Sequence, residues 1–162
     1  MIARDVKDAV IGPLWDPIAV KMAFLAGAGA KLPMRVGGKI GPLSGKPVDA
    51  DWQVTALKRN HQMTGLGGVP SNMGDCALVA TGGISVLLAS ERTQAIDPDL
   101  FTGIGCDLAA TAIVVVKSTQ HFRAGYERVA ADIVYAGPPG SSSPDLSSLP
   151  YTKIKRPKWP IA

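Results

Sequence analysis

The residues best suited to chemistry lie in one short segment, Lys117–Arg123. It follows the apolar run 112–116, which predicts a strand buried on both faces, and Ser118 or Thr119 can cap a helix that begins here. Sheets of α/β proteins bind ligands at the carboxyl ends of their strands, where free N–H groups favour an anion or a developing oxyanion. The candidate residues for a substrate cleft in this segment are Lys117, Ser118, His121 and Arg123.

The same segment also has a purely structural interpretation, and the sequence leaves both open. In that interpretation Ser118 caps the helix and His121 bonds to the backbone. Phe122 then packs in the core, while Arg123 pairs with a carboxylate.

A second strand-to-helix junction adds Trp15 and Asp16 as cleft candidates. Asp16-Pro17 is a strong helix start, because the carboxylate accepts from free N–H groups and proline loses no hydrogen bond at the first position. Because both junctions follow a strand and precede a helix, Trp15 and Asp16 would line the same crevice as residues 117–123. Helix capping alone would also explain Asp16.

The metal-binding residue types are few and widely spaced. A catalytic zinc ion needs about three protein ligands and an open coordination position. His61 and His121 belong to no His-Glu-x-x-His pattern or close pair, and no glycine-flanked nucleophile accompanies them. Cys76 and Cys106 lie among small apolar residues, where a thiol acts as a small hydrophobic group. We therefore expect no metal site and no cofactor in this chain.

Helix and strand periodicities alternate along the chain, which predicts an α/β fold with a mixed sheet and short flanking helices. Residues 2–8 are expected to form helical turns, 9–14 a short strand and 17–26 a helix. The strand at 32–36 is expected at an edge of the sheet, because Pro33 cannot donate to a ladder.

The middle of the chain predicts a strand at 52–58 and then an antiparallel hairpin. The hairpin strands, 76–80 and 84–89, flank Gly82-Gly83, and both glycines tolerate the positive φ of a tight turn.

The C-terminal part predicts a βαβ unit, and therefore a parallel component of the sheet. Its members are a strand at 112–116, a helix to about Ala130 and a strand at 132–135. The segment 136–162 is rich in proline and serine and is expected to be an irregular surface tail. With 162 residues, the chain is expected to form one domain, 1–162.

The net charge of +4 does not by itself indicate a nucleic-acid partner. Positive residues are scattered except near the end, where Pro157 and Pro160 interrupt them, whereas a nucleic-acid footprint clusters on one face. No apolar run is long enough to span a membrane, and no secretory signal is evident. We expect no nucleic-acid partner, no membrane partner and a cytoplasmic location.

Five segments, in one order along the chain, resemble a known family. They are Trp15-Asp-Pro-Ile-Ala-Val20, Gly41-Pro-Leu-Ser-Gly45, Ser90-Glu-Arg-Thr-Gln-Ala-Ile-Asp-Pro98, Val116-Lys-Ser-Thr-Gln-His-Phe-Arg-Ala124 and the ending from Leu149 to Pro160. Each is weak alone, but together they span most of the chain. In them the chain is similar to the C-terminal domain of the MlrC (microcystinase C) family of zinc metallopeptidase-like proteins.

The resemblance implies a two-domain enzyme whose larger N-terminal domain carries zinc. The founding activity of that family is a late peptide-bond cleavage in microcystin degradation, so the implied class is a hydrolase or protease. The resemblance implies that this chain starts inside the first helix of the C-terminal domain, so we expect a fragment, a split gene product or a mis-called start. The implied partner is the zinc-bearing N-terminal domain or its separate chain, and a homo-oligomer is a further expectation.

We therefore interpret the chain as an accessory domain that shapes a substrate cleft for peptide or amide bond hydrolysis, with the metal held elsewhere. On its own it is expected to be inactive. The alternative is a non-catalytic binding or assembly module.

Overall fold

A six-stranded mixed sheet organises the chain. The computed structural model describes residues 1–138, 147, 149–155 and 157–159. The strands, in chain order, are β1 (Ala9–Trp15), β2 (Lys31–Val36), β3 (Val48–Thr64), β4 (Pro70–Thr81), β5 (Ile84–Ala89) and β6 (Ile113–Val116). The α-helices of the described residues are α1 (Pro17–Ala26), α2 (Asp99–Thr102) and α3 (Arg123–Tyr126). Short 3-10 turns lie at Ile2–Arg4, Pro42–Ser44 and Leu66–Gly68.

The sheet has an antiparallel half and a parallel half. In the strand order β2-β3-β4-β5-β1-β6, the first four strands pair antiparallel. β1 is parallel to both β5 and β6, so these three strands end at the same edge. The connection from β5 to β6 contains α2 and crosses β1, which is how the parallel strands arise. The mixed α/β fold predicted from the sequence is confirmed.

The structure differs from the expected βαβ unit near the C-terminus. The helix contracts to α3, and residues 132–135 form no strand. Gly125 packs closely against the residues that precede α2: an added Cβ would be 2.6 Å from the carbonyl oxygen of Ile96. Ile133 packs on the core instead of joining the sheet. β6 is an edge strand with Ile113 44% exposed, not a strand buried on both faces.

Most other elements follow the sequence expectations, with changed bounds. α1 starts after Asp16, β2 is an edge strand, and β4 and β5 form the expected hairpin. The hairpin turn uses Gly82 and Gly83 at φ values of 56° and 84°. The expected helical turns at 2–8 reduce to one 3-10 turn. β3 extends well beyond 52–58 on both sides, because β2 pairs with its first part and β4 with most of its length.

Both faces of the sheet are covered, which explains why residues 86–89 of β5 are all apolar. Leu87 faces one hydrophobic cluster and Leu88 the other. The cluster beside α1 includes Ala19, Val20, Ala23, Trp52 and Val54. The cluster beside α2 and α3 includes Met63, Met73, Leu100, Phe101 and Tyr126. Among the described residues, no helix is both long enough and apolar enough to cross a membrane.

Candidate functional site

The carboxyl ends of the three parallel strands bring distant residues side by side. Trp15 ends β1, Ser90 follows β5 and Lys117 follows β6. The indole Nε1–H of Trp15 donates to the carbonyl oxygen of Ser90 at 3.0 Å, and the Lys117 amide donates to the carbonyl oxygen of Gly12 at 2.9 Å. We name this surface the carboxyl edge; its side chains are Trp15, Arg92, Gln94, Lys117, Ser118 and His121.

A hydrogen-bond chain runs along the carboxyl edge. The Ser118 hydroxyl donates to Oε1 of Gln94 at 3.2 Å, and Nε2 of Gln94 lies 3.0 Å from Nδ1 of His121. Because an amide nitrogen can only donate, Nδ1 of the neutral imidazole accepts and its proton sits on Nε2. His121 is exposed, so this Nε2–H can donate to a bound molecule.

Two cations lie beside this chain. The guanidinium carbon of Arg92 is 5.8 Å from the centre of the Trp15 ring, which is a cation–π distance. The pKa of Lys117 is lowered, first because surrounding protein disfavours its charged form and second because of the positive charge of Arg92. Both residues remain exposed, so the carboxyl edge presents positive charge to solvent.

The segment that carries Arg92 and Gln94 is hydrogen-bonded to two strands and to the end of a third. The Ser90 amide donates to the carbonyl oxygen of Asp75 at 3.0 Å, and the Ser90 hydroxyl accepts from the Asp75 amide at 2.8 Å. The Glu91 amide donates to Met73 on β4, and the Ala95 amide donates to the carbonyl oxygen of Lys117. With the indole bond from Trp15, these contacts join the segment to β4, to β1 and to the residue that follows β6.

Sequence reasoning missed Arg92 and Gln94. Both lie in the segment 90–98, which carried part of the family resemblance, so the signal was present there. Their role depends on the pairing of β5 beside β1, and no local periodicity reports that pairing.

Asp16 is held by structural contacts. It is 2% exposed, and its Oδ1 accepts from the Ala19 amide at 3.0 Å as the helix cap of α1. Its Oδ2 accepts from the Gly37 amide at 2.9 Å and from Nζ of Lys39 at 2.5 Å. These contacts join β1, α1 and the loop after β2. Because both carboxylate oxygens already have partners, a structural role explains why Asp16 is buried here.

Arg123 lies apart from the hydrogen-bond chain. Its guanidinium pairs with Glu127 one turn along at 3.3 Å, and hydrogen bonding to that carboxylate raises the pKa of Arg123. α3 begins only at Arg123, so the Ser118 hydroxyl bonds to Gln94 instead of capping a helix. The structure thus places Trp15, Lys117, Ser118 and His121 at the carboxyl edge, whereas the side chains of Asp16 and Arg123 bond to other partners.

The described residues do not fit a zinc centre. They contain no group of three or more His, Cys, Asp or Glu side chains placed to hold a metal. His61 is fully buried, and its Nε2 lies 2.9 Å from the carbonyl oxygen of Leu100, which it meets as a donor. Burial raises the pKa of the Cys76 thiol to about 12, so this sulfur stays protonated and is a poor metal ligand.

A shallow groove of about 310 Å³ adjoins the carboxyl edge at Ser90. It runs along α1, and its other lining residues are Pro17, Val20, Lys21, Phe24, Leu25, Arg59 and Asp75. The groove therefore extends the carboxyl edge with an apolar wall that could hold part of an extended chain.

Comparison with known proteins gives one consistent result. The sequence profile of the family described as MlrC C-terminus matches residues 1–153. Microcystinase C of Sphingomonas sp. is 35% identical over 161 residues, covering 99% of this chain and 31% of that protein. A candidate metallopeptidase of known crystal structure from Mesorhizobium sp. BNC1 has a TM-score of 0.81 at 28% identity. That match covers 94% of this chain and 31% of the other, so the chain spans about a third of each relative's length.

Proposed function

This chain belongs to the MlrC C-terminus family, and we propose that it forms one wall of the substrate cleft in a metallopeptidase-like hydrolase. The observation that carries the proposal is the convergence of Trp15, Lys117 and the Ser118–Gln94–His121 chain at the carboxyl ends of parallel strands. Ligands of open α/β sheets bind at this edge. The reaction would be hydrolysis of a peptide or amide bond.

The chemistry of metal activation belongs, in this proposal, to a zinc-bearing N-terminal domain or its separate chain. Zinc would there supply an activated water molecule. The residues of the present chain would bind and orient the substrate: the His121 Nε2–H and the Ser118 hydroxyl meet its carbonyl groups, and the Trp15 ring supplies an apolar surface. Cys76 and Cys106 are free thiols, which supports the further proposal of a cytoplasmic location.

A second candidate function is a non-catalytic assembly module. Large apolar side chains lie exposed on α1, where Ile18 is 60% and Leu25 80% exposed. Leu66 and Val69, at the end of the β3–β4 hairpin, are 55% and 66% exposed. Surfaces of this kind favour contact with another protein surface. The two functions are compatible, since a cleft wall must also dock on the domain that holds the metal.

The proposal can be tested in a chimera in which this chain replaces the matching part of microcystinase C. We expect the chimera to hydrolyse linear peptides, and His121→Ala within it to lower turnover about 100-fold, the usual effect of losing one well-placed donor. The thermal midpoint should hardly change, because His121 is exposed. The control is Arg35→Gln on the opposite edge of the sheet, which should preserve turnover.

Two results would contradict the proposal. One is a lowered midpoint with intact turnover per folded molecule in the His121 variant, which would make that residue structural. The other is a folded, zinc-loaded chimera without any hydrolytic activity.

A further inference from the structure

Arg92 and Lys117 lack the carboxylate partner that four arginines of the described residues have. The paired arginines, each within 3.3 Å of a carboxylate, are Arg35, Arg59, Arg123 and Arg128. Arg59 is the closest parallel, because it too lies over an aromatic ring, at 4.7 Å from Phe24, but Asp75 neutralises it. Within the described residues, no carboxylate pairs with Arg92 or Lys117. Their positive charges are uncompensated there, and the charge of Arg92 contributes to the lowered pKa of Lys117.

Holding two like charges near one another is unfavourable unless an anion lies between them. Here hydrogen bonds from the backbone and from Ser90 and Trp15 hold the segments that carry the two cations. Ser90 and Glu91 are bonded to β4, and the Ala95 amide bonds to Lys117 itself. The Trp15 ring, fixed through its own bond to Ser90, supports the Arg92 guanidinium from one side. The backbone that carries both cations is thus held in place before any ligand binds, which lowers the entropic cost of binding.

The chemistry of these groups selects the kind of anion. A guanidinium presents parallel N–H donors that match the two oxygens of a carboxylate, and an ammonium adds a point charge. A phosphate, with higher charge and more oxygens, is generally bound by clustered backbone N–H groups at the start of a helix or in a glycine-rich loop. α3 has only four residues and begins at Arg123, so no such cradle follows β6.

We propose that Arg92 and Lys117 form a subsite for a carboxylate group of a peptide substrate, with the Trp15 ring as its floor. The inference rests on the proposed function, because the carboxyl edge must face the substrate for the subsite to act on it. It assigns the substrate class as peptides that carry a carboxylate near the cleaved bond. The group can be a C-terminal carboxylate or an acidic side chain, and both have the same recognition chemistry.

Binding can be measured on the 162-residue chain by NMR, using the Arg92 side-chain N–H and the Trp15 indole N–H as reporters. The probes are N-acetyl-Ala-Ala, with a free C-terminal carboxylate, and N-acetyl-Glu-Ala-amide, with only an acidic side chain. N-acetyl-Ala-Ala-amide has neither and is the neutral control. Inorganic phosphate is the fourth probe. We expect saturable shifts with at least one carboxylate peptide and none with the neutral peptide.

Arg92→Gln and Lys117→Gln should each weaken carboxylate binding by roughly tenfold or more, since each removes a charged hydrogen-bond partner. Arg35→Gln, which alters a paired arginine on the far edge, should leave binding unchanged. Both substituted residues of the subsite are exposed, so the variants should fold, and their amide spectra would verify this.

Absence of a saturable shift, equal shifts with the neutral peptide, or unchanged binding in both subsite variants would overturn the subsite. Tighter binding of phosphate than of either peptide would overturn the carboxylate assignment. The chimera experiment keeps the two proposals apart. Carboxylate binding with no effect of His121→Ala on turnover leaves the subsite standing and removes the cleft, and the reverse result removes the subsite alone.

Discussion

Asp16 and His61 are the buried polar side chains of the described residues, and they are stabilised differently. Asp16 has partners for both carboxylate oxygens. His61 has a partner only at Nε2, and its Nδ1 is buried without one. A bulge in β3, where Asn60 has a φ of 47°, turns His61 inward against α2. The His61 ring is tightly packed: a Cβ added at Gly103 would lie 2.8 Å from it.

This environment predicts a pH-dependent stability. The pKa of His61 is lowered from its ordinary value of 6.5, chiefly because burial disfavours the imidazolium. The unfolded chain therefore takes up a proton at a higher pH than the folded chain. The free energy of unfolding should be highest above about pH 6.5 and should fall as the pH drops from there towards the folded pKa. Denaturant unfolding between about pH 7.5 and 5.5 measures this slope.

His61→Gln is the matched variant, because its amide can still donate to Leu100 but does not titrate. It should lower stability by roughly 1–3 kcal/mol at neutral pH through imperfect replacement of a buried hydrogen-bonded group. It should also flatten the slope. An equal slope in both proteins would rule out His61 as the source.

At the scale of elements, the position of the carboxyl edge depends on how β4 holds the segment after β5. Gly74 is the contact point, with a φ of 65°. An added Cβ would lie 2.2 Å from the Ser90 hydroxyl oxygen and 2.8 Å from Cγ of Glu91. A side chain at this position would force the 90–94 segment away from β4, and Arg92 and Gln94 would move with it.

We therefore expect Gly74→Ala to lower the free energy of unfolding by at least about 2 kcal/mol, from backbone strain and overpacking. It should also shift the Trp15 indole resonance, since Ser90 accepts the indole hydrogen bond. Gly41→Ala is the control, because its φ of 173° is extended backbone and nothing lies within 4 Å of its added Cβ. A Gly74 variant as stable as this control would show that the contact is not needed.

At the scale of the whole molecule, the proposal that the metal is held by another domain can be tested by measuring the zinc content of this chain. The described residues do not form a metal cluster, while the matched relatives are about three times as long. The purified chain, prepared without chelator, should contain no stoichiometric zinc and should not hydrolyse linear peptides. Elemental analysis measures the first and a peptide turnover assay the second. About one tightly bound zinc per chain would contradict the proposal that the metal belongs to another domain.

The exposed apolar residues predict association of the isolated chain. Ile18 and Leu25 project from α1 into solvent. Removing such apolar surface from water by contact with a second copy of the chain is favourable. Light scattering should therefore detect a dimer or a larger assembly. The double variant Ile18→Lys and Leu25→Lys should shift the measured mass towards that of the monomer. Val69→Lys, in the turn between β3 and β4, tests a separate exposed surface. A wild-type monomer at high concentration would contradict the prediction.

The sequence by itself determined the family, the mixed α/β class and the local devices that start or end elements. Asp16-Pro17 starts α1, Pro33 lies in an edge strand and Gly82-Gly83 forms the hairpin turn, each because a backbone requirement is met within a few residues. The strand predicted at residues 132–135 was wrong, because this segment pairs with no neighbouring strand.

Only the tertiary structure decided the composition of the carboxyl edge. Trp15, Arg92 and Lys117 lie far apart in the chain, and they meet because β1 inserts between β5 and β6. The same strand order buries Asp16 in contacts with α1 and the loop after β2, although it is the next residue after Trp15. Strand order is set by which nonlocal pairings bury the most apolar surface, and this information is spread over the whole chain and not over any one motif.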